Sequence, residues 1–316
     1  MNRITKQKEP VLLLDFLPAE EMRAESSCRD NFTSMLIYKQ YTQDSLDRQY
    51  NNRLNVPDHE IHLQRWESLS REAEKRYPVK KNISYGELPD EKLDIFPSAQ
   101  PNSKTLVFIH GGYWYKHAAV DFYLIAEAFR SYGFTTVLID YPLMPAHTME
   151  QVIISCRKAI HWLQRNQFEY NGDPAQIYIS GHSAGGHLAA MMMVENEPSF
   201  PYPIKGVCAI SGLYNLLPVQ LCYVNEVLGM DKETALTHSP VNLLPVVLCP
   251  MLLAVGANET KEYLEQSLEL YTAWSKQNVQ IEILEIETAD HFSILEMMID
   301  ESSDLHNALC RLMNIS

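Results

Sequence analysis

Ile177-Tyr-Ile-Ser-Gly-His-Ser-Ala-Gly-Gly-His-Leu-Ala-Ala190 is the stretch whose reading decides the fold. Residues 177–180 have the apolar character of a short buried strand, and 184–194 are rich in helix formers. Between them Gly181-His182-Ser183-Ala184-Gly185 fits the pattern Gly-x-Ser-x-Gly. A serine in such a strand-to-helix turn sits at strained backbone angles, so the residues two positions to either side must be small. Its hydroxyl then projects at a helix N-terminus, where backbone N–H groups and the macrodipole favour developing negative charge. Ser183 is the candidate nucleophile, and the N–H of Ala184 a candidate oxyanion donor. The plain alternative is a glycine-rich turn with an incidental serine.

The same strand–helix rhythm extends outward. Strands are expected over 105–109, 135–139, 177–180, 206–210, 251–255 and 280–286. Helices are expected over 121–132, 149–166, 184–194, 260–276 and 292–312. Alternation of this kind predicts an α/β fold, with a mainly parallel sheet covered by helices on both faces. Two short runs, 83–88 and 93–96, read as an antiparallel hairpin in front of it. Residues 213–250, with Pro218, Pro240, Pro245 and Pro250, interrupt the rhythm and read as an insertion at the carboxyl edge of the sheet, able to form part of a lid. Residues 1–80 are polar and helical in pattern, over 45–53 and 59–76, with Asp58 as N-cap of the second run. The division expected is a helical extension over 1–80 and a core over 81–316.

The other reactive groups follow from that order. After the first parallel strand comes His110-Gly-Gly-Tyr-Trp114. Glycines there let backbone N–H groups face the serine without a side chain blocking the substrate carbonyl. Gly111, Gly112 and Tyr113 are candidate oxyanion donors, while His110 is expected to orient the loop. Tyr113 and Trp114, with His182 and Phe292, are candidate substrate-binding residues; simple packing is the rival reading for the loop aromatics. The base should follow the last strand, which selects His291 over His161 and His187, both on helices. The acid should follow the 251–255 strand, where Glu259 is the first carboxylate; Glu262 and Asp290 are its rivals.

Composition bounds the rest. The chain has 316 residues, 46% apolar and 21% charged, ordinary for a soluble globular protein. A net charge of −14 opposes binding to a phosphate backbone, so no nucleic-acid partner is expected. The apolar run at 11–17 is broken by Asp15 and reads neither as a signal peptide nor as a membrane span. The six cysteines show no zinc-ligand spacing and read as reduced, mostly buried thiols. A cytoplasmic enzyme acting on a small molecule, with no metal and no cofactor, is the expectation; a homodimer stays open.

Taken together, these motifs resemble the arylformamidases (kynurenine formamidases) of the α/β-hydrolase superfamily. The resemblance is carried by His110-Gly-Gly-Tyr-Trp114, by Gly181-His-Ser-Ala-Gly185 with His187-Leu-Ala-Ala190, and by Val255-Gly256 with Gln266-Ser267. Asp290-His-Phe292 with Glu296 adds to it, as do Gln49-Tyr-Asn-Asn-Arg53, Tyr85-Gly86 and Leu93-Asp94-Ile95. It spans roughly residues 45–312 and implies hydrolysis of N-formylkynurenine to kynurenine and formate, without metal or cofactor. The chain departs from the pattern at Glu259, where aspartate is usual, and at Thr260-Lys261-Glu262 in place of Ser-Pro-Glu. Residues 1–44 have no counterpart. Relatives of this group include esterases, so a carboxylesterase for a larger ester or macrocyclic lactone is the alternative, and a non-catalytic binding protein on the same fold is the third.

Overall fold

The computed structural model describes residues 35–194 and 204–315. The apolar run at 11–17 and Cys28 lie outside the described residues. Among these, eight strands form one sheet: β1 (Lys80–Ser84), β2 (Lys92–Phe96), β3 (Ser103–Ile109), β4 (Thr135–Ile139), β5 (Gly172–His182), β6 (Gly206–Ile210), β7 (Met251–Gly256) and β8 (Ile281–Ile286). Their spatial order is β1-β2-β4-β3-β5-β6-β7-β8. The expected antiparallel hairpin is present, but its first strand lies at 80–84 and not at 83–88, where residues 85–91 form the connecting turn; β2 meets β4 antiparallel. From β4 onward every pairing is parallel.

The central strands are apolar because both their faces are covered. Val107, Ile109, Val137, Ile179 and Leu253 share one core cluster. Leu106, Phe108, Leu138, Cys208 and Leu252 belong to the other. Successive residues of a strand point to opposite faces, so near-continuous apolar runs are what two covered faces require. The first cluster lies under α5 (Met149–Asn166) and α6 (Ala184–Met191), the second under α12 (Asp304–Leu312). Helix α5 starts where the sequence says it should, with Thr148 and Gln151 forming a reciprocal capping box.

Three expected helical runs are broken, each by a competing side chain; the run over 45–53 parts at Asn51, whose Oδ1 accepts from the Leu54 N–H at 3.1 Å. In place of one helix over 121–132 there is a 3₁₀ turn (Ala119–Phe122) and a short helix α4 (Ile125–Ala128). The hydroxyl of Ser70 lies between them, donating to the Asp121 carbonyl at 3.0 Å and accepting from the Leu124 N–H at 3.1 Å. Those backbone groups are thereby satisfied without helix continuation. The helix expected over 292–312 is split into α11 (Ser293–Glu296) and α12. Ser303 accepts from the His306 N–H at 3.0 Å and so caps a new helix, while its own hydroxyl donates to the Met297 carbonyl at 2.5 Å.

The N-terminal segment contributes α1 (Gln43–Tyr50), α2 (Asn52–Asn55) and α3 (His59–Arg76). Asp58 stands at the cap position of α3 but its side chain makes no capping hydrogen bond. This segment is tied into the core over long sequence distances. Thr260 donates to the Gln49 carbonyl at 2.7 Å, and Glu296 accepts from both His62, at 2.7 Å, and Arg65, at 3.2 Å.

Residues 213–250 form short helices α7 (Leu217–Leu221), α8 (Asn225–Leu228) and α9 (Lys232–Thr237). They are anchored too. The Gln266 side chain, on α10 (Lys261–Trp274), accepts from the backbone N–H groups of Tyr214 and Asn215 at 2.5 and 2.8 Å. Free thiols Cys156, Cys208, Cys222 and Cys249 are buried, and Cys310 is half-buried. Among the described residues no helix is long and apolar enough to cross a membrane.

Candidate active site

Ser183 joins β5 to α6 with φ 58° and ψ −119°, a conformation costly for any residue with a Cβ. The two glycines of the motif show what makes it sterically feasible. A Cβ on Gly181 would lie 2.1 Å from the Gly185 carbonyl oxygen, and one on Gly185 would lie 1.9 Å from the Ile109 carbonyl oxygen. The Ser183 N–H is anchored on the Ile210 carbonyl of β6 at 2.8 Å. A strained turn is thus held by the strands on both sides of it.

The carboxyl ends of β5, β7 and β8 bring three distant residues together. The Ser183 hydroxyl lies 3.1 Å from His291 Nε2, and His291 Nδ1 lies 2.7 Å from Glu259 Oε2. All three side chains are buried: Ser183 is 4% exposed, His291 5%, and the Glu259 side chain 1%. The second carboxylate oxygen of Glu259 accepts from the Ser211 hydroxyl at 2.5 Å and from the Gly256 N–H at 2.9 Å. The latter bond folds the side chain back over its own turn, where the Glu259 N–H also reaches the Gly256 carbonyl at 3.1 Å. That curl absorbs the methylene by which glutamate exceeds aspartate.

Neither rival carboxylate reaches the histidine. Glu262 accepts from the Tyr50 hydroxyl at 3.1 Å, and Asp290 accepts from the N–H groups of Phe292 and Ser293. Ser211 was not singled out by sequence; its position directly after β6, as the structural neighbour of the β7 loop, was the available signal.

The loop after β3 is fixed by His110. Its Nδ1–H donates to the Gly111 carbonyl at 2.8 Å, and the ring is stacked 4.3 Å from that of Tyr141. Burial pushes the His110 pKa down to about 4, so the ring is neutral. Pinning the Gly111 carbonyl turns the N–H of the same planar peptide, that of Gly112, the opposite way. Gly112 has φ 108°, open to glycine alone at low cost, and a Cβ there would lie 2.5 Å from the Lys116 carbonyl oxygen. Among the described residues, the N–H groups of Gly112, Tyr113 and Ala184 have no protein acceptor. Gly111 lies against the serine; a Cβ on it would come within 3.1 Å of Ser183 Cβ.

The aromatic residues divide differently from expectation. Tyr113, His182 and Phe292 line the cleft above Ser183. Trp114 does not: it is fully buried, and its indole N–H donates to His187 Nδ1 at 3.2 Å. A buried indole needs an acceptor, and His187 supplies it. The His187 Nε2–H in turn donates to the His238 carbonyl at 2.8 Å, and burial holds its pKa down at about 3. His187, passed over as the base because it lies on a helix, therefore ties together the 110–114 loop, α6 and the 213–250 insertion. His182 has a second contact besides the cleft, since its Nε2–H donates to the His291 carbonyl at 2.9 Å.

The cleft itself is small, about 120 Å³. The N-terminal segment builds one wall of it, with Asn52, Arg53, Leu63 and Trp66. Asn52 donates to the Tyr263 hydroxyl at 2.9 Å, the Tyr113 hydroxyl donates to the Tyr50 carbonyl at 2.5 Å, and the two hydroxyls of Tyr113 and Tyr263 lie 3.0 Å apart. The Tyr263 ring stands 4.7 Å from that of His291. A larger groove, about 810 Å³, runs between α5 and residues 237–243, but neither Ser183, Glu259 nor His291 borders it. Size alone does not locate the chemistry.

A mainly parallel sheet in this order, with a strained serine after its fifth strand and a histidine after its eighth, defines an α/β-hydrolase. The chain belongs to the BD-FAE family, whose model matches residues 93–274. It is similar to the kynurenine formamidase of Danio rerio, 29% identical over 89% of this chain and 100% of that one. It is also similar to esterase LipC of Mycobacterium tuberculosis, 29% identical over 44% of this chain and 37% of the relative. Among solved structures, one from Silicibacter sp. TM1040 is 27% identical with a TM-score of 0.72, over 83% of this chain and 97% of that one. Esterase B from Lactobacillus rhamnosis, at 16% identity and TM-score 0.62 over 82% and 96% of the two chains, shares the fold. The chain is an arylformamidase-like serine hydrolase.

Proposed function

We propose that this enzyme cleaves an aryl formamide, N-formylkynurenine, to the free arylamine and formate, with Ser183 as nucleophile, His291 as base and Glu259 as acid. The observation that carries the reading is the buried relay from serine through imidazole to carboxylate, with spacings of 3.1 and 2.7 Å. The Nδ1–H of His291 donates to Glu259, which leaves Nε2 to accept the serine proton as the hydroxyl oxygen attacks the formyl carbon. The C–O bond forms as the carbonyl π pair moves to oxygen. The resulting oxyanion is met by the N–H groups of Gly112, Tyr113 and Ala184. His291 then protonates the departing nitrogen, the C–N bond breaks, and a water activated by the same ring releases formate from Ser183.

The small cleft supports a compact acyl group, and the ring cluster of Trp66, Phe122 and Phe292 beside it supports an aromatic leaving group. The relatives' names support the formamide in particular, because two relatives aligned over 89% of this chain are named kynurenine formamidase. The test measures formate release from N-formylkynurenine beside turnover of p-nitrophenyl acetate and of a macrocyclic lactone. Ser183→Ala should lower all measurable turnover by about 10⁴-fold or more while the circular dichroism spectrum stays the same. Turnover retained in that variant would remove Ser183 from the role. An intact enzyme that cleaves esters or lactones but not N-formylkynurenine would replace the formamide with the ester reading.

A further inference from the structure

The residues that line the Ser183 cleft include no aspartate or glutamate, yet they include two cations, Arg53 and Lys116. This is the opposite sign to the chain as a whole, which carries −14. The cations come from different walls. Arg53 lies on α2, next to Asn52, whose amide is bonded to Tyr263. Lys116 closes the turn of the 110–114 loop, its N–H donating to the Gly112 carbonyl at 3.1 Å.

Both side chains are exposed, and among the described residues neither forms an ion pair. The Lys116 ammonium lies 4.8 Å from the centroid of the Tyr115 ring, another cleft residue. Carboxylates stand behind the lining, Asp121 3.1 Å from His117 Nδ1 and Glu259 2.7 Å from His291 Nδ1, so Arg53 and Lys116 are the fixed charges at the cleft surface itself, where they raise the local concentration of the opposite ion.

We infer that the cleft selects substrates bearing a carboxylate remote from the scissile carbonyl, with Arg53 and Lys116 as the specificity-determining residues that receive it. The inference rests on the proposed acyl transfer at Ser183, though not on the identity of the acyl group. The aromatic wall accepts the body of the substrate, and the two cations set which end of it points to the mouth. Neither cation touches the reacting atoms, so their effect belongs to recognition and is screened by salt.

A matched pair of esters tests it: phenyl acetate with a para propanoate tail and the same ester with a para propanamide tail. The readout is the ratio of kcat/KM for the acid tail to that for the amide tail. Wild-type enzyme should favour the acid roughly three- to tenfold at low ionic strength, and the preference should shrink as salt shortens the Debye length. Arg53→Gln and Lys116→Gln should each reduce the ratio, and the double variant should bring it close to one. A ratio near one in the wild type, or one unchanged by both substitutions and by salt, overturns the inference. Ser183→Ala separates the two layers. If it leaves both esters turning over, the site reading itself has failed; if it stops both while the ratio ignores Arg53 and Lys116, only the inference falls. The salt dependence of the wild-type ratio reads the same property without any substitution.

Discussion

The relay and the wall of the cleft are built in opposite ways. Ser183, Glu259 and His291 each follow the carboxyl end of a parallel strand, β5, β7 and β8, so one edge of the sheet brings them together. The wall made by Asn52, Arg53 and Trp66 has no strand behind it. It reaches the cleft because Tyr50 and Asn52 bond to Tyr113 and Tyr263, across gaps of 63 and 211 residues. The lesson is a division of labour. The sheet places the relay, and a docked polar segment builds a wall of the cleft beside it.

The sharpest way to break this comparison is to disturb the relay without moving an atom. Glu259→Gln does so for a specific reason. One carboxylate oxygen receives two donors, from Ser211 and from the immovable Gly256 N–H. The amide nitrogen of glutamine therefore cannot sit there and must face His291. That forces Nδ1 to accept, puts the proton on Nε2, and leaves no lone pair for the serine proton. The expected result is a fall in kcat of about 10³–10⁴-fold with little change in KM. A loss below tenfold would mean that Glu259 is not the group that sets the tautomer.

A smaller effect is expected at the joint between the two regions. His187 and His110 are buried neutral, with pKa values held at about 3 and about 4 against an ordinary 6.5. Between those limits the unfolded chain binds more protons than the folded one, so stability falls as the pH drops below 6.5. Each histidine contributes a loss of about 1.4 kcal/mol per pH unit in that window, or about 2 kcal/mol by pH 5. Asp140 works the other way, because burial raises its pKa to about 6, and stability falls as pH rises toward that value. His187→Gln keeps one acceptor for Trp114 and one donor for the His238 carbonyl but cannot titrate. Urea unfolding at pH 7 and pH 5 should show a drop smaller by about 2 kcal/mol in this variant than in the wild type. The contributions of His110 and Asp140 are common to both proteins and cancel in that difference. Equal drops would show that the ring at 187 is not held neutral by the fold.

What could be read from the sequence follows the same division. The sheet, the serine turn, His291 and the carboxylate after β7 were legible because each is a local pattern: an apolar run, two small residues flanking a serine, a polar residue one loop beyond a strand. The breaks at Ser70 and Ser303 were not, since they depend on one hydroxyl meeting backbone from elsewhere, and helix periodicity carries no record of it. Trp114 was expected in the cleft because an exposed aromatic and a buried one look alike in sequence. What distinguishes them is the acceptor that His187 provides. The Gln49-to-Arg53 run could be matched to relatives, but its place against Tyr263 could not be read from its polar residues.

The wall itself gives the smallest and most discriminating expectation. Asn52 is 9% exposed and its amide donates to the Tyr263 hydroxyl, which also contacts Tyr113. Asn52→Ala removes one hydrogen bond from a buried network, at a cost of about 1 kcal/mol. The relay does not contain this residue, so kcat should change by less than about threefold while KM for an aryl substrate rises about fivefold. Tyr263 links the two regions, its ring 4.7 Å from the imidazole. If Asn52→Ala lowered kcat as steeply as Glu259→Gln, the tyrosine hydroxyl would have to act on the reacting atoms. The wall would then be part of the chemistry. A KM effect alone keeps the two regions separate, one supplying the proton path and the other the fit.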